Sequence, residues 1–492
     1  MNMKVSDLFK GTEVLEYNGC ENLEITGVTG DTRGNTIRKG FAFLCISGTV
    51  FDGHTYIAEA AAQGAIVAIT ERVPECRDIP YVLVKDTRLA ASYVFANANG
   101  NPERSLKMIG ITGTNGKTSS AFMLKKIFED AGHTCGIIGT ILCAWGEKVY
   151  DAGMTTPDPE RLFGLLRMMK EDGAEYVFME VSSHSLALGR VAPIRFRAGI
   201  YTNLTQDHLD FHKTMEDYAA AKEILFTQSD IGIFNIDNEY VERAAGKKLC
   251  PSVTFSAEGK DADYTAGDIV TGMSGVDYSI YKNGEKIIEV SSHIPGIITV
   301  YNTMGAVICA LECGIPADKI REGVRELSGV PGRMERATPR DCPFTAIIDY
   351  AHTPDALENV ANIILKSRQK GQKLTILFGC GGDRDSKKRP IMGEIATRLA
   401  DRTIITSDNC RTEEPEKIIN DILAGIHRDS DHTVITDRRE AIKHAILTAE
   451  DGEIILIAGK GHENYEIKKD GKHPFSEKDE VNKALKLRES AL

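Results

Sequence analysis

The residues with the clearest chemical meaning lie in the stretch GITGTNGKT, Gly110 to Thr118. Glycines at 110, 113 and 116 let the backbone turn tightly enough for the N–H groups of Gly113, Thr114, Asn115 and Gly116 to converge on phosphate oxygens. Lys117 can reach the β and γ phosphates of a nucleotide, and the Thr118 hydroxyl can ligate Mg²⁺. A helix that follows adds the partial positive charge of its N-terminus. The common pattern G-x-x-x-x-G-K-[ST] would put its first glycine at 111, where this chain has Ile111. A glycine turn that merely enters a helix would not require Lys117.

A phosphate site that holds a metal needs a carboxylate nearby, and Glu180 closes the apolar run YVFME. A buried acid in that position is costly without a cation, which favours a ligand over a packing role. His208 and His212 lie in TNLTQDHLDFH; taken alone they are either zinc ligands one helical turn apart or a chance spacing. Lys222, in AAAKEILF, reads from its own residues as a solvated helix lysine. Cys309 and Cys313 read as two small apolar side chains on a helix. The 11 cysteines are scattered, and none forms the C-x-x-C of a zinc or redox site.

These residues need elements to hold them. A chain of 492 residues suggests about three domains. Residues 1 to about 96 read as short strands with one helix, YIAEAAAQGA, and ANGNPERSL near 97 to 105 reads as a linker. The strand KMIGIT, the glycine loop and an amphipathic helix over Ser119 to Ala131 come next. YVFMEVSSH and RAGIYTNLTQDH fit buried parallel strands whose C-terminal ends carry a site. After a turn-rich break at GVPGRMER, 329 to 336, strands and helices alternate to the end, which predicts a doubly wound unit. The expected fold is α/β in three domains: a small α/β domain at 1–97, a central P-loop ATPase-like parallel sheet at 98–332, and a Rossmann-like α/β domain at 333–492. There is no apolar run of 18 residues, and the start MNMKVSDLFKGTEVLEY offers no signal-peptide pattern, so membrane insertion is not expected and the chain reads as cytoplasmic. A formal charge of −12 argues against nucleic acid as the main partner, although a local loop can still receive an anionic nucleotide.

The spelling G-x-x-G-T-N-G-K-T resembles the ATP loop of the Mur ligases and their folylpolyglutamate synthetase relatives. The match continues through DTR at 31–33, DGH at 52–54, TTPDP at 155–159, EVSSH at 180–184, TNLTQDHLDFH, AAAKEILF, GVPGRMER, DYAHTPDAL at 349–357, FGCGGDRDSKKRP at 378–390, SDNCR at 407–411 and GKGHE at 459–463. It is closest to the branch of the family that adds the third residue of the peptidoglycan peptide stem. The resemblance implies that ATP phosphorylates the D-Glu carboxylate of UDP-N-acetylmuramoyl-L-Ala-D-Glu, and that the amine of a diamino acid attacks the resulting acyl phosphate. Lys117 and metal ions would neutralise the two anions that must meet. One Mg²⁺ would be held near Thr118 and Glu180, and a second by His208 and a carbamylated Lys222. Thr32 and His54 would meet the uridine end; Thr155, Thr156, Ser182 and Arg190 would hold the muramoyl peptide. Asn302, Arg333, Asp349 and His352 would meet adenine and ribose, with the last domain closing over them about the segment 329–336. The protein is expected to act as a monomer on small-molecule substrates.

Family members differ in whether the added residue is meso-diaminopimelate or L-lysine, which differ by a terminal carboxylate, and a buried carboxylate calls for an arginine fork. Diaminopimelate-adding members carry D-N-P-R; this chain has Asp408, Asn409, Cys410 and Arg411, keeping the arginine and losing the proline. Arg384, Gly459 and Glu463 match other positions that hold the diamino acid. Without proline to fix φ the loop is expected to be looser. The reading is meso-diaminopimelate, with lysine, ornithine or another diamino acid as alternatives. Three rivals stay open: a folylpolyglutamate synthetase, which would lack the first 96 or so residues; a nucleotide switch, which would hydrolyse ATP without an amino acid; and a diverged paralogue with a different carboxylate substrate.

Overall fold

Met108, Ile109 and Ile111 are buried in the strand Lys107–Thr112, which runs straight into the glycine loop. In the computed structural model, which describes residues 2–33, 36–48, 52–75, 79–272, 275–327, 329–339, 341–427 and 429–491, this strand is flanked in parallel by Tyr176–Glu180 and Phe196–Tyr201. Glu180 pairs with Ile111 and Tyr201 with Thr112. The loop, the acid and the TNLT segment therefore leave the sheet at one edge, the C-terminal edge where parallel α/β sheets carry their sites. Cys135–Ile138 continues the sheet in parallel on one side, followed by the antiparallel Leu142–Trp145 and Lys148–Asp151. Gly232–Asn235 and Ser252–Ser256 continue it in parallel on the other.

The chain divides into two compact units, the first made of Met1–Ala266, Tyr281–Glu285 and Tyr301–Gly323, the second of Gly267–Ile280, Lys286–Val300 and Val324–Leu492. The first unit also holds a five-stranded sheet in the order Val14–Asn18, Tyr81–Val84, Ala65–Thr70, Phe41–Leu44, Gly27–Thr29, antiparallel only at its first pairing. One helix was expected in this region, at YIAEAAAQGA, and Ile57–Gln63 is there. A second, longer helix, Thr87–Ala98, was not expected. It is buried on several faces, at Ala90, Ala91, Val94, Phe95 and Asn97 among others, so its sequence lacks the one-sided apolar stripe that marks a surface helix.

The second unit carries a six-stranded sheet in the order Glu335–Arg336, Thr345–Asp349, Ile454–Ala458, Leu374–Phe378, Arg402–Ile405, His432–Val434, parallel except at its first pairing. Alternate residues serve two apolar layers. Ile376, Phe378 and Leu456 pack with Leu357 and Met392 on one face, while Leu377, Ile455 and Ile457 pack with Ile442 and Val481 on the other. Burial on both faces explains the near-continuous apolar runs of these strands. The α/β expectation holds in both units. Among the described residues no helix is long and apolar enough to cross a membrane.

Candidate functional site

Two glycines make the loop possible. Gly113 has φ 147° and Gly116 φ 87°, and a Cβ at either would overlap a neighbour, Thr202 Oγ1 or Asn302 Oδ1. The loop is braced from the next strand: Thr202 Oγ1 donates to the Asn115 carbonyl at 2.6 Å, Asn115 N donates to Asn203 Oδ1 at 2.9 Å, and Thr114 N donates to the Asn203 carbonyl at 3.0 Å. Helix Lys117–Asp130 begins directly on Gly116, and the Thr118 side chain is buried in its first turn.

Lys117 Nζ donates to the carbonyls of Gly113 and Thr114 at 2.8 and 2.9 Å, and Lys222 Nζ donates to the same Gly113 carbonyl at 2.9 Å. The reading of Lys222 as a solvated helix lysine is corrected here: it is 1 % exposed, one helical turn from Tyr218, whose ring lies 4.7 Å from the ammonium nitrogen. The residues of AAAKEILF give no sign of this, because the burial comes from the loop packing over the helix. Burial first, and then the Lys117 ammonium, push the Lys222 amine well below the ordinary lysine range, opposed by Asp207. Tyr218 also contacts Thr114 Oγ1 at 3.3 Å, and its ring centroid lies 6.1 Å from that of His208 and 5.0 Å from that of His212. It links the loop, Lys222 and the histidines, and its position one turn before Lys222 was the available signal.

His208 is half-exposed and has φ 52°, entering a single helical turn, with Asp207 3.5 Å away. His212 is buried instead, its Nε2 2.8 Å from Ser183 Oγ, and burial lowers its pKa. The zinc alternative finds no support in this arrangement: among the described residues no group of three His, Cys, Asp or Glu side chains could hold a metal ion. Glu180 is buried at its strand end, where its carboxylate accepts from Thr140 N and Oγ1, each at 2.9 Å. Thr140 Oγ1 reaches Thr155 Oγ1 at 3.0 Å, and Thr156 Oγ1 donates to the Glu180 carbonyl at 2.8 Å. Ser182 caps helix Ser183–Ala187, and Arg190 donates to the Thr156 carbonyl at 3.2 Å, its pKa lowered by burial. Glu180, Thr155, Thr156, Ser182 and Arg190 thus form one connected patch, with Ser182 N donating to Thr156 Oγ1 at 3.0 Å; Thr140, which joins Thr155 to the Glu180 carboxylate, was missed because an isolated GT pair carries no pattern. Asn302 lies against Gly116, and its carbonyl accepts from Ser120 Oγ at 3.3 Å.

In the loop after strand Gly27–Thr29, the Thr32 carbonyl accepts from Gln63 Nε2 at 2.9 Å. Both ring nitrogens of His54 are engaged within the fold, Nδ1 with Asp52 at 2.6 Å and Nε2 as acceptor for Glu71 N at 3.0 Å.

The second unit gathers two sets. Asp349 is buried, accepts from Met334 N and Ala351 N at 2.8 and 2.9 Å, and has its pKa raised by burial against the pull of Arg333. Arg333 stacks 5.1 Å over the Tyr350 ring, whose other neighbours are His352 and His462. Asp408 and Asn409 are buried at the end of strand Arg402–Ile405. Asn409 Nδ2 donates to Glu463 Oε2 at 2.7 Å, and a Cβ on Gly459, which has φ 122°, would come 2.8 Å from Asp408 Oδ2. Arg411 has φ 54° and donates through Nη1 to the Gly382 carbonyl at 2.9 Å. Arg384 and Arg411 both approach Gly381. The turn that lacks the proline is bridged by hydrogen bonds. Cys410 is buried with its thiol on the Asp408 carbonyl at 3.2 Å, Gly382 N donates to the Asn409 carbonyl at 2.9 Å, and Arg411 N donates to Ile467 O at 3.1 Å. A cavity of about 610 Å³ opens beside Cys410 and Arg411, lined also by Ser407, Thr436 and Lys468.

Known proteins match along almost the whole chain. Residues 24–104 match the Mur ligase family catalytic domain, 111–310 the Mur ligase middle domain, and 332–461 the Mur ligase glutamate ligase domain. A UDP-N-acetylmuramoyl-L-alanyl-D-glutamate--2,6-diaminopimelate ligase from Clostridium perfringens is 44 % identical over 489 residues, 97 % of this chain and 99 % of the relative. The ligase of that name from Clostridioides difficile is 42 % identical over 98 % of this chain and 99 % of its own length. A solved structure of a UDP-N-acetylmuramoyl-L-alanyl-D-glutamate--2,6-diaminopimelate ligase superposes with a TM-score of 0.73 at 30 % identity, covering 99 % of this chain and all of the other. With the glycine loop, the strand-end acid and the Asp408–Arg411 turn placed on such a fold, the chain belongs to the Mur ligase family.

Proposed function

We propose that the protein is an ADP-forming ligase that joins meso-2,6-diaminopimelate to the D-Glu of UDP-N-acetylmuramoyl-L-Ala-D-Glu, in peptidoglycan precursor synthesis. The observation that carries the reading is the convergence of Asp408, Asn409, Arg411, Gly459 and Glu463 on one turn, in a chain similar over nearly its full length to ligases named for diaminopimelate. Arg411 and Arg384 supply guanidinium forks for the terminal carboxylate that lysine lacks. The γ-phosphoryl group of ATP moves to a carboxylate oxygen of D-Glu, and ADP leaves. The diamino acid's amine then forms the C–N bond, loses a proton, and expels phosphate with the bonding pair.

The residues present fit ATP and Mg²⁺. Gly113 and Gly116 form a cradle that a Cβ would fill, and the buried Glu180 and Thr118 offer the hard oxygen donors that Mg²⁺ takes. Lys222 fits a carbamate, since only the neutral amine adds CO₂ and burial beside the Lys117 ammonium shifts the balance toward that form. Bound Mg²⁺ would supply charge neutralisation between carboxylate and phosphate. Lys117 anchors the phosphates, Thr202 and Asn203 hold the loop in shape, and Thr140 orients the Glu180 carboxylate. Asn302, Arg333, Asp349 and His352 are assigned to the base and ribose, Thr32 and His54 to the uridine end, and Thr155, Thr156, Ser182 and Arg190 to the muramoyl peptide. Segments 1–97, 98–332 and 333–492 are assigned to uridine, ATP and the amino acid respectively, in a monomer acting in the cytoplasm.

The test is ADP release with UDP-N-acetylmuramoyl-L-Ala-D-Glu and ATP, comparing meso-diaminopimelate, L-lysine and no amino acid, with product masses read in parallel. Turnover with diaminopimelate and the tripeptide mass is the expected result. Turnover with lysine alone would remove the specificity assignment, and ATP hydrolysis independent of any amino acid would remove the ligase.

A further inference from the structure

The polar groups around Asn409 converge on a side chain that has no role in the reading above. Lys460 is fully buried, donates to Asn409 Oδ1 at 2.8 Å and to the Tyr465 carbonyl at 3.0 Å, and stands 3.2 Å from Asp408 Oδ1 and 3.7 Å from Glu463 Oε2. An ammonium in so enclosed a place is costly, and leucine or methionine would fill the volume without that cost.

What the charge does is legible in the geometry of Asn409. Its Oδ1 accepts from two donors, Lys460 Nζ and Ile467 N, both at 2.8 Å. An amide whose oxygen is fixed by two donors has its NH₂ group fixed as well. Here Nδ2 is turned toward Glu463 and donates to its carboxylate at 2.7 Å. Asp408 Oδ1 stands 3.2 Å from the same ammonium, and burial, which would raise the Asp408 pKa, is outweighed by Lys460 and Arg438. Arg438 does a different job: it is fully buried and donates to the Ser407 and Ala458 carbonyls and to Glu477, so it ties the backbone under the turn. The backbone of Lys460 is itself held, because the preceding Gly459 N donates to the Asp349 carbonyl at 3.0 Å. Lys460 therefore orders the side chains of Asp408, Asn409 and Glu463 from a fixed point.

We propose that Lys460 is a positioning residue for the incoming diamino acid, setting the orientation of the Asn409 amide and, through it, of the Glu463 carboxylate. This rests on the reading of Asp408–Arg411 and Glu463 as the diamino acid site. Lys460 touches no substrate in this account; it presents one fixed pattern of donors and acceptors to the substrate, where a free amide could present two.

The experiment uses the full chain and the substitution Lys460→Met, with KM measured for all three substrates. The KM for diaminopimelate is expected to rise about ten-fold or more, about 1.4 kcal/mol, while those for ATP and the UDP-linked dipeptide stay within about two-fold. Asn409→Ala alone should reproduce most of that loss, and adding it to Lys460→Met should cost little more, because the two act as one unit. An unchanged KM for diaminopimelate, a parallel rise in all three, or fully additive losses would overturn the proposal. Should Lys460→Met not fold, Lys460→Gln, whose shorter neutral amide cannot hold Asp408 and Asn409 together, is read by the same criteria. Wild-type enzyme that turns over diaminopimelate beside an insensitive Lys460 variant removes this proposal alone; wild-type enzyme inert toward diaminopimelate removes the reading beneath it as well.

Discussion

Lys222 is where a single residue departs furthest from what its neighbours in sequence suggest. An amine that is buried, shares the Gly113 carbonyl with a second lysine and is held well below its ordinary pKa is a liability for stability. The folded-state pKa is lower than the unfolded one, so between the two the unfolded chain binds more protons, and stability falls as pH drops through that window. Lys222→Met removes this cost while keeping the length of the side chain. Its melting temperature should equal or exceed that of wild type at pH 7, with turnover down by about 10²-fold or more. A variant that melts well below wild type would show that the amine is structural. Growth of a carbamate carbon signal on adding ¹³C-bicarbonate to wild type, absent in Lys222→Met, checks the chemistry directly. At the other end of the reaction, Arg411→Ala should raise the KM for diaminopimelate by about ten- to a hundred-fold, the worth of hydrogen bonds to a charged group. An unchanged KM would shift the specificity to Arg384 or elsewhere.

The glycine loop is an element whose conformation is set from outside itself. Thr202 Oγ1 donates to the Asn115 carbonyl at 2.6 Å, while its own carbonyl accepts from Asn235 Nδ2 at 2.9 Å. Thr202→Val keeps the shape and deletes the donor, so the KM for ATP should rise about three- to ten-fold with the KM for diaminopimelate unchanged. A rise in both would mean that the substitution disturbs more than the loop. The loop, its strand and its helix were readable because their residues obey local rules: glycines where φ is positive, an apolar strand before, a helix after. The doubly wound second unit was readable because its central strands, Thr345–Asp349, Leu374–Phe378 and Ile454–Ala458, are largely apolar runs. Helix Thr87–Ala98 and the hairpin strands Gly275–Lys282 and Glu285–Ser292 were not, the helix because burial on several faces erases its period and the strands because they carry few strong apolar runs. Among site residues, the loop glycines and Lys117 announced themselves. The roles of Thr140, Tyr218 and Lys460 depend on contacts across 40, 104 and 51 residues of chain, which no local pattern encodes.

Across the whole molecule, desolvation holds protons off a set of imidazoles, of which His212 is the most enclosed. Burial lowers the pKa of His184 and His212 in the first unit and of His352 and His462 in the second, the last to about 4. His462, at about 4, is neutral in the folded chain at pH 6, where an unfolded histidine is largely charged; the other three are shifted in the same direction. Between the folded and unfolded values the unfolded state binds more protons, so stability falls with falling pH in that interval, before most carboxylates titrate. Both units carry such groups, so both should weaken together as pH drops from about 7 to about 5. The single tryptophan, Trp145, lies in the first unit, so its fluorescence follows that unit while far-ultraviolet circular dichroism follows both. Melting temperatures from the two signals should fall over this range. A flat profile in either signal would mean that its histidines are protonated in place. His462 allows a sharper version, since its Nδ1 is buried without a hydrogen-bond partner and an apolar ring can replace it. His462→Phe should lose part of the acid sensitivity of the second unit and leave the fluorescence profile of Trp145 unchanged. If the circular dichroism profile of His462→Phe instead follows wild type down to pH 5, protonation of His462 contributes nothing to acid unfolding, and the remaining titrating groups of that unit must account for it.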